Sequence, residues 1–209
     1  MKRLRIVLTV FLLVGVFGCS HVKEYIEIAK NDTISGEYLD VLNRNTREKT
    51  VYSEFETNIR IVATWKSREF MDAYLSEYSR LYLVTPEDRE RRRDLLSDTS
   101  PGFVEFVFYA YIPDKDSNDF SKSDSIWKVF YYNEDGKKLE PVDIREIESK
   151  PLVTTLFPYV KSYGKFYNVR FPNPIPPGGN AAVPPEEPEL VFAGVLGKLS
   201  LEWSGAKNR

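Results

Sequence analysis

Residues 103–112 read FVEFVFYAYI, and this stretch decides the fold class of the chain. An apolar side chain stands at every second position from Val104 to Ile112, which predicts a strand with one fully buried face. The opposite face is also largely apolar, with Glu105 as its charged member, so it suits a covering helix or a partly wet surface.

Shorter strand patterns surround this segment. Asn58–Trp65 alternates apolar with polar side chains, and Ile126–Tyr132 ends in a hairpin-type turn, Asn133–Gly136, before Leu139. Four further strands are predicted, at Val142–Ile147, Leu152–Phe157, Tyr163–Phe171 and Val195–Trp203. Several short strands separated by turn signals favour a mainly β (α+β) protein built on an antiparallel β-sandwich-like domain.

Helical signals interrupt the strands at about residues 67–97. Ser67 is a plausible N-cap, and aromatic residues follow it at helical spacing, beginning with Phe70 and Tyr74. A second helix opens at Thr85, which precedes a proline in the first turn and two acidic residues. These patterns predict a helical hairpin inserted in the β-rich domain.

The amino terminus has the layout of a secretory signal peptide. Basic residues precede the apolar run Ile6–Val16, and small residues follow it. The run is too short to span a bilayer comfortably, since spanning takes about 20 apolar residues. An ordinary signal peptide cut elsewhere and an uncleaved anchor are the alternatives to the interpretation that follows.

Residues Val16-Phe17-Gly18-Cys19 resemble the lipobox of bacterial lipoproteins, from which Phe17 departs because a small residue is usual there. The resemblance implies a signal peptide over residues 1–18 and a lipid attached to Cys19, which would hold the protein to the membrane. It further implies the bacterial cell envelope and, because Ser20 stands where aspartate marks inner-membrane retention, the outer membrane.

The remaining chain is expected to form a tether and one domain. Residues 19–49 are polar and weakly patterned, so we expect a lipid-anchored tether in which Ile34–Tyr38 can start a strand and Asn43–Lys49 forms a solvated turn or loop. Residues 50–209 are expected to form a single β-rich domain, with a proline-rich loop at 172–188.

Composition limits the chemistry available to the domain. His21 is the only histidine and Cys19 the only cysteine, so a Ser-His-Asp hydrolase, a Cys-His enzyme and a histidine-ligated metal site are excluded from it. The net charge of −2 gives no electrostatic case for nucleic acid. We therefore expect no enzyme, no catalytic residue, no cofactor and no metal, although carboxylate-only chemistry passes this filter.

Asp114, Asp116 and Asn118 share the alternate spacing of oxygen ligands in a calcium-binding loop. Two departures weaken the match, because Asp119 replaces the turn glycine and Ser125 stands where the closing glutamate belongs. The pattern leaves open a weak cation loop and an ordinary polar turn, since these residue types also favour turns.

Four arginines on the second predicted helix are candidates for binding a partner: Arg89, Arg91, Arg92 and Arg93. Guanidinium groups bind carboxylates and phosphates in a forked geometry, which suits a protein or lipid partner. Acidic residues are interspersed with them, so a solvated helix face is the simpler alternative.

The sequence thus predicts a lipid-anchored envelope lipoprotein with a non-catalytic binding or assembly role, an envelope protein being its possible partner. The alternative is a small-ligand or lipid-binding module with an aromatic-lined pocket. A carboxylate-based hydrolase ranks third. The aromatic residues considered for such a pocket are Tyr109, Tyr111, Tyr131, Tyr132, Tyr163, Tyr167, Trp65, Trp127 and Trp203.

Overall fold

The computed structural model describes residues 33–53, 56–99, 102–133, 136–173 and 187–203. The chain divides into two compact units, Met1–Gly36 and Glu37–Arg209. Of the first unit only residues 33–36 are described. The second unit contains the elements discussed below.

Nine described strands form two antiparallel sheets, which confirms the mainly β, sandwich-like class. The first sheet contains β1 (Thr46–Ser53), β2 (Glu56–Trp65), β3 (Phe103–Tyr111), β6 (Asp143–Ile147) and β7 (Lys165–Pro172), in the order β1-β2-β3-β7-β6. The second contains β4 (Trp127–Tyr132), β5 (Lys138–Leu139), β8 (Glu189–Gly194) and β9 (Gly197–Glu202), in the order β5-β4-β8-β9. The described helices are α1 (Gly36–Arg44), α2 (Arg68–Tyr82), α3 (Pro86–Thr99) and α4 (Pro151–Leu156).

Strand β3 lies at the centre of the first sheet, and its inner face builds the core between the sheets. Phe108 is fully buried, and its ring centroid lies 5.2 Å from that of Phe120, 5.0 Å from Tyr167 and 5.0 Å from Phe192. Because Phe192 belongs to the second sheet, these ring contacts join the two sheets directly. Aromatic side chains therefore pack across the interface between the two sheets.

The outer face of the first sheet is covered by helices, as the apolar second face of 103–112 allowed. The ring of Phe157, just after α4, lies 5.1 Å from Phe166 on β7 and 6.0 Å from Phe70 on α2. The hydroxyl of Tyr159 is 2.8 Å from that of Thr64 on β2. The structure therefore has a second aromatic core, between the first sheet and the helices.

The helical hairpin is confirmed, and its caps are those predicted from sequence. Ser67 Oγ accepts a hydrogen bond from the backbone N–H of Phe70 at 3.1 Å, and Thr85 Oγ1 accepts one from Asp88 at 3.3 Å. These bonds satisfy amides that have no partner within the first turn of a helix. The cap chemistry placed both helix starts to within one residue.

The predictions for Ile34–Tyr38 and Asn43–Lys49 were wrong, because α1 and then β1 occupy this part of the chain. β1 is an edge strand, where charged residues are common because they discourage pairing with another chain. Arg47 shows how a charge fits there: its guanidinium lies over the ring of Trp203 at 5.9 Å, and its Nε donates to the carbonyl of Glu202 at 2.9 Å. The folded part of the chain thus begins well before residue 50.

The prediction of a strand at Leu152–Phe157 was also wrong, because α4 begins at Pro151. Proline is favoured in the first turn of a helix, and this turn lets Leu156 and Phe157 bury themselves in the helix layer. The carbonyl of Leu156 there accepts a hydrogen bond from the hydroxyl of Tyr38 at 2.9 Å. Tertiary packing therefore outweighs the preference of the β-branched residues in this segment for a strand.

The carboxyl-terminal strand is shorter than predicted and has a partner that the pattern did not reveal. Val195 and Leu196 form the turn between β8 and β9, so Val195–Trp203 is a turn followed by β9. β8 adjoins the proline-rich segment, whose residues 174–186 lie outside the described part of the chain.

Candidate interaction surface on the helical hairpin

Four aromatic residues form a ladder along α2. Phe70, Tyr74, Tyr78 and Tyr82 repeat every four residues, and successive ring centroids are 6.0, 6.4 and 4.7 Å apart. Side chains at this spacing lie one above another on a helix face. The ladder begins at the buried Phe70 in the second aromatic core and ends at Tyr82, which is exposed.

Arginines of α3 hold this helix against α2. Arg89 Nη2 donates to Ser76 Oγ at 2.6 Å, and Arg93 Nη2 is 3.3 Å from Asp72 Oδ1. The guanidinium of Arg92 lies 5.1 Å from the ring centroid of Tyr78, within the range of a cation–π contact. These contacts join the described side chains of α3 to α2.

Most of the predicted arginine cluster therefore makes contacts within the hairpin. Arg91 is the exception, because its side chain is 72% exposed and pairs with Asp88 on its own helix at 3.3 Å. Surface pairs of this kind contribute little to stability. The structure thus brings three of the four candidate arginines to α2 and leaves one on the outer surface of α3.

The turn between the two helices carries an unusual residue. Leu83 adopts the left-handed conformation, with φ 51° and ψ 41°, and its side chain is 89% exposed. Glycine or asparagine normally occupies this position after a helix, since a side chain there costs about 1 kcal/mol. Neither the backbone conformation nor burial favours leucine at this place.

A groove of about 320 Å³ lies beside Leu83, where the two helices meet. Its lining combines hydroxyl, cationic and apolar groups: Ser76, Ser79, Arg80, Val84, Pro86, Arg89 and Glu90. Arg80 is oriented by Glu77, a buried carboxylate that accepts hydrogen bonds from the guanidinium at 2.6 and 3.1 Å. These hydrogen bonds raise the pKa of Arg80.

Neither Glu77 nor Leu83 was among the candidate residues predicted from the sequence. The carboxylate of Glu77 is buried, although charged side chains usually mark the solvent face of an amphipathic helix. The i, i+3 spacing from Glu77 to Arg80 was a usable signal for their pairing. A leucine immediately before Val84 and the Thr85 cap gives no comparable signal, because its φ angle is not readable from the sequence.

The three residues of the candidate cation loop have different structural roles. The buried side chain of Asn118 donates from Nδ2 to the carbonyl of Ala110 at 2.9 Å and accepts at Oδ1 from the hydroxyl of Tyr167 at 3.0 Å. Asp114 accepts from Ser117 Oγ and from the backbone N–H of Asp116. The Ser117 bond, with the Asp116 amide second, lowers the pKa of the Asp114 carboxyl. The loop is thus organised by its own hydrogen bonds.

The aromatic residues considered for a ligand pocket lie mainly in the cores. Tyr131, Tyr167 and Trp127 are buried between the sheets. Trp127 Nε1 donates to the carbonyl of Ser117 at 2.9 Å, and Trp203 Nε1 donates to that of Asn45 at 2.7 Å. Buried indole groups normally find such partners, so these tryptophans act as structural anchors.

Cys19, His21 and the predicted signal peptide lie outside the described residues. In the part of the chain that the structure does describe, no helix is long and apolar enough to cross a membrane. The same part contains no group of three or more His, Cys, Asp or Glu side chains arranged to hold a metal ion. Comparisons with protein-family models, with curated proteins and with solved structures find no match for this chain.

Proposed function

We propose that this chain is a lipid-anchored lipoprotein of the bacterial cell envelope that binds a partner protein and catalyses no reaction. The lipobox-like residues ending at Cys19 support the anchor and, with Ser20 after it, the outer membrane as its place. The tip of the α2–α3 hairpin supports the binding role. The hairpin tip is here Tyr82, Leu83 and the groove lined by Arg80 and Arg89.

The observation that carries this proposal is Leu83. A large apolar side chain that is exposed, on a backbone that disfavours it, stabilises nothing within the described fold. Costly conformations of this kind persist where function requires them. Contact with a partner would bury Leu83 and Tyr82 and so recover the apolar area that they now expose to water.

The chemistry of the hairpin tip suits a protein partner. Tyrosine and arginine are enriched in protein–protein interfaces, whereas lysine is depleted. The tip presents Tyr82, Arg80 and Arg89 and contains no lysine among its groove residues.

Leu83→Asn is expected to abolish capture of the partner while leaving the fold slightly more stable. Asparagine tolerates the left-handed conformation, so the free energy of unfolding should rise by about 0.5–1 kcal/mol. The measurement is in-cell cross-linking of a carboxyl-terminally tagged chain, with mass spectrometry of the captured proteins and denaturant unfolding of the purified variant.

Val142→Asn is the matched control, because Val142 is another exposed apolar residue and lies before β6. The control should capture the same protein as the unchanged chain. Equal capture by the Leu83 and Val142 variants would contradict a binding role for the hairpin tip, whatever their stabilities.

Cys19→Ala is expected to release the protein from the membrane fraction or to leave it as an uncut precursor. Removing the thiol removes the only site to which the lipid can be attached. Detergent phase partitioning and the mass of the mature protein measure the two effects. Unchanged partitioning with an unchanged mass would show that the chain is held by something other than a lipid on this cysteine.

A further inference from the structure

One end of the β-sandwich exposes an apolar patch that the hairpin function does not use. The patch is formed by Tyr52, Ile126, Val195 and Leu196. The side chain of Val195 is 83% exposed and that of Tyr52 65% exposed, while Ile126 is also exposed and Leu196 is partly buried. Each of these residues lies at the end of a strand or in the turn between two strands.

Three contacts bring these residues to the same end. Asn58 Nδ2 donates to the carbonyl of Leu196 at 3.4 Å, and Asn58 follows Thr57, the residue paired with Tyr52. A Cβ on Gly197 would lie 3.4 Å from Val51 Cγ1. Gly194 pairs with Trp127, so Ile126 and Val195 extend from the same end of their paired strands.

The turn at this end has an unexpected composition. Gly194 pairs with Gly197, which leaves Val195 and Leu196 as a two-residue hairpin turn. Neither residue has a positive φ angle, so the backbone does not require glycine or asparagine, but both positions lack the polar side chains that usually fill exposed turns. Leu196 packs partly against the core, whereas Val195 is exposed at the tip of the turn, as an apolar residue that docks on another surface would be.

Charged residues on the outer face of the second sheet are distributed along the same axis. Lys128 and Lys198 are exposed and flank Ala193 in register, one row behind the patch. Glu189 and Glu202 pair with each other at the opposite end of this sheet. The loop from β3 to β4 leads into Ile126 and exposes Asp114, Asp116 and Asp124 as well as Lys115 and Lys122. Because these charges oppose one another, the apolar side chains must supply most of any affinity.

We infer that this end of the sandwich docks onto a lipid bilayer, with Val195, Ile126 and Tyr52 in the interface and Lys128 and Lys198 at the phosphates. Aliphatic residues with tyrosine and lysine are typical of membrane interfaces, where lysine reaches the headgroups. Lysine is depleted from protein–protein interfaces, so the composition favours lipid over a second protein. The inference rests on the proposed anchor, which would hold the chain at a membrane.

The test places an environment-sensitive fluorophore on a cysteine introduced at Val195, in the full lipidated chain reconstituted into vesicles. Vesicles of phosphatidylethanolamine are compared with vesicles that also contain phosphatidylglycerol, and lipids bearing a quencher report insertion. Leu83→Cys is the matched position, because it is equally apolar and exposed but lies on the hairpin. A lipidated Cys19 cannot be labelled, so the number of labels on each protein tests the anchor separately.

We expect the label at 195 to shift its emission to the blue and to be quenched in vesicles containing phosphatidylglycerol, while the label at 83 stays in water. Lys128→Gln should lower the ratio of inserted to free protein about fivefold. Lys138→Gln should leave it unchanged, since Lys138 pairs with Tyr132 on β4, in the row that also contains Glu189.

Insertion of the label at 83 instead of 195, or of neither, would overturn the inference. So would protection of position 195 that depends on an added protein and not on lipid. A second label on Cys19 would show that the anchor proposal has failed, whereas one label without insertion at 195 would show that only the docking inference has failed.

Discussion

Replacing Phe108 with alanine is expected to lower the free energy of unfolding by about 3–5 kcal/mol, because it leaves a cavity in a close-packed core. The ring is fully buried and contacts Phe120, Tyr167 and Phe192 at centroid distances of 5.0–5.2 Å. Since a domain of this size is stabilised by only about 5–15 kcal/mol, the variant should unfold at a much lower denaturant concentration.

Phe130→Ala is the matched control for this substitution. Phe130 also lies on a strand, but on the outer face of β4, where it is half-buried beneath the ammonium group of Lys138 at 4.4 Å. Its loss should cost about 1 kcal/mol. Similar losses of the free energy of unfolding in the two variants, measured by denaturant unfolding, would contradict the view that contact between the sheets dominates stability.

Replacing Asn118 with aspartate is expected to destabilise the fold by about 3 kcal/mol at neutral pH. A carboxylate cannot donate to the carbonyl of Ala110, and burial disfavours its charge. Burial raises the pKa of a carboxyl group in the folded state, so stability is fully present below the unfolded pKa and is lost as pH rises through the folded value. The free energy of unfolding of the variant should therefore be closer to that of the unchanged protein at pH 4 than at pH 7.

The same substitution separates the two interpretations of the loop. A cation site would gain a charged ligand from Asn118→Asp, and calcium would then raise the midpoint of unfolding. Asp116→Asn is the control, because Asp116 is exposed and its backbone N–H, which donates to Asp114, is retained. Stabilisation of the Asn118 variant by calcium, with little loss in its absence, would contradict the structural role assigned to this side chain.

The strand pattern of 103–112 was sufficient to predict a strand with one fully buried face. Its second face suited a covering helix or a partly wet surface, and the structure places the second sheet against one face and helices against the other. The caps at Ser67 and Thr85 were equally readable, because they depend on bonds made within one turn. Local chemistry therefore sufficed wherever the partner lies near in sequence.

Segments whose partners are distant in sequence were misread. The charges of Asn43–Lys49 indicated a loop, yet Arg47 is accommodated by Trp203 and by the carbonyl of Glu202, at the other end of the chain. Leu152–Phe157 indicated a strand, yet the apolar surfaces of Phe166 and Phe70 select a helix. The intrinsic preferences of residues for helix or strand differ by less free energy than such packing contributes.

The candidate surfaces divide in the same way. The sequence by itself determined which strand faces are apolar, where both hairpin helices start and where the lipobox-like segment ending at Cys19 lies. Each of these depends on neighbouring residues. Only the tertiary structure decided that Arg89, Arg92 and Arg93 contact α2, that Leu83 is exposed in a left-handed turn, and that Tyr52 and Val195 lie at one end of the sandwich. Exposure is a property of the assembled layers, because a side chain becomes buried or free only when the distant segments around it have packed.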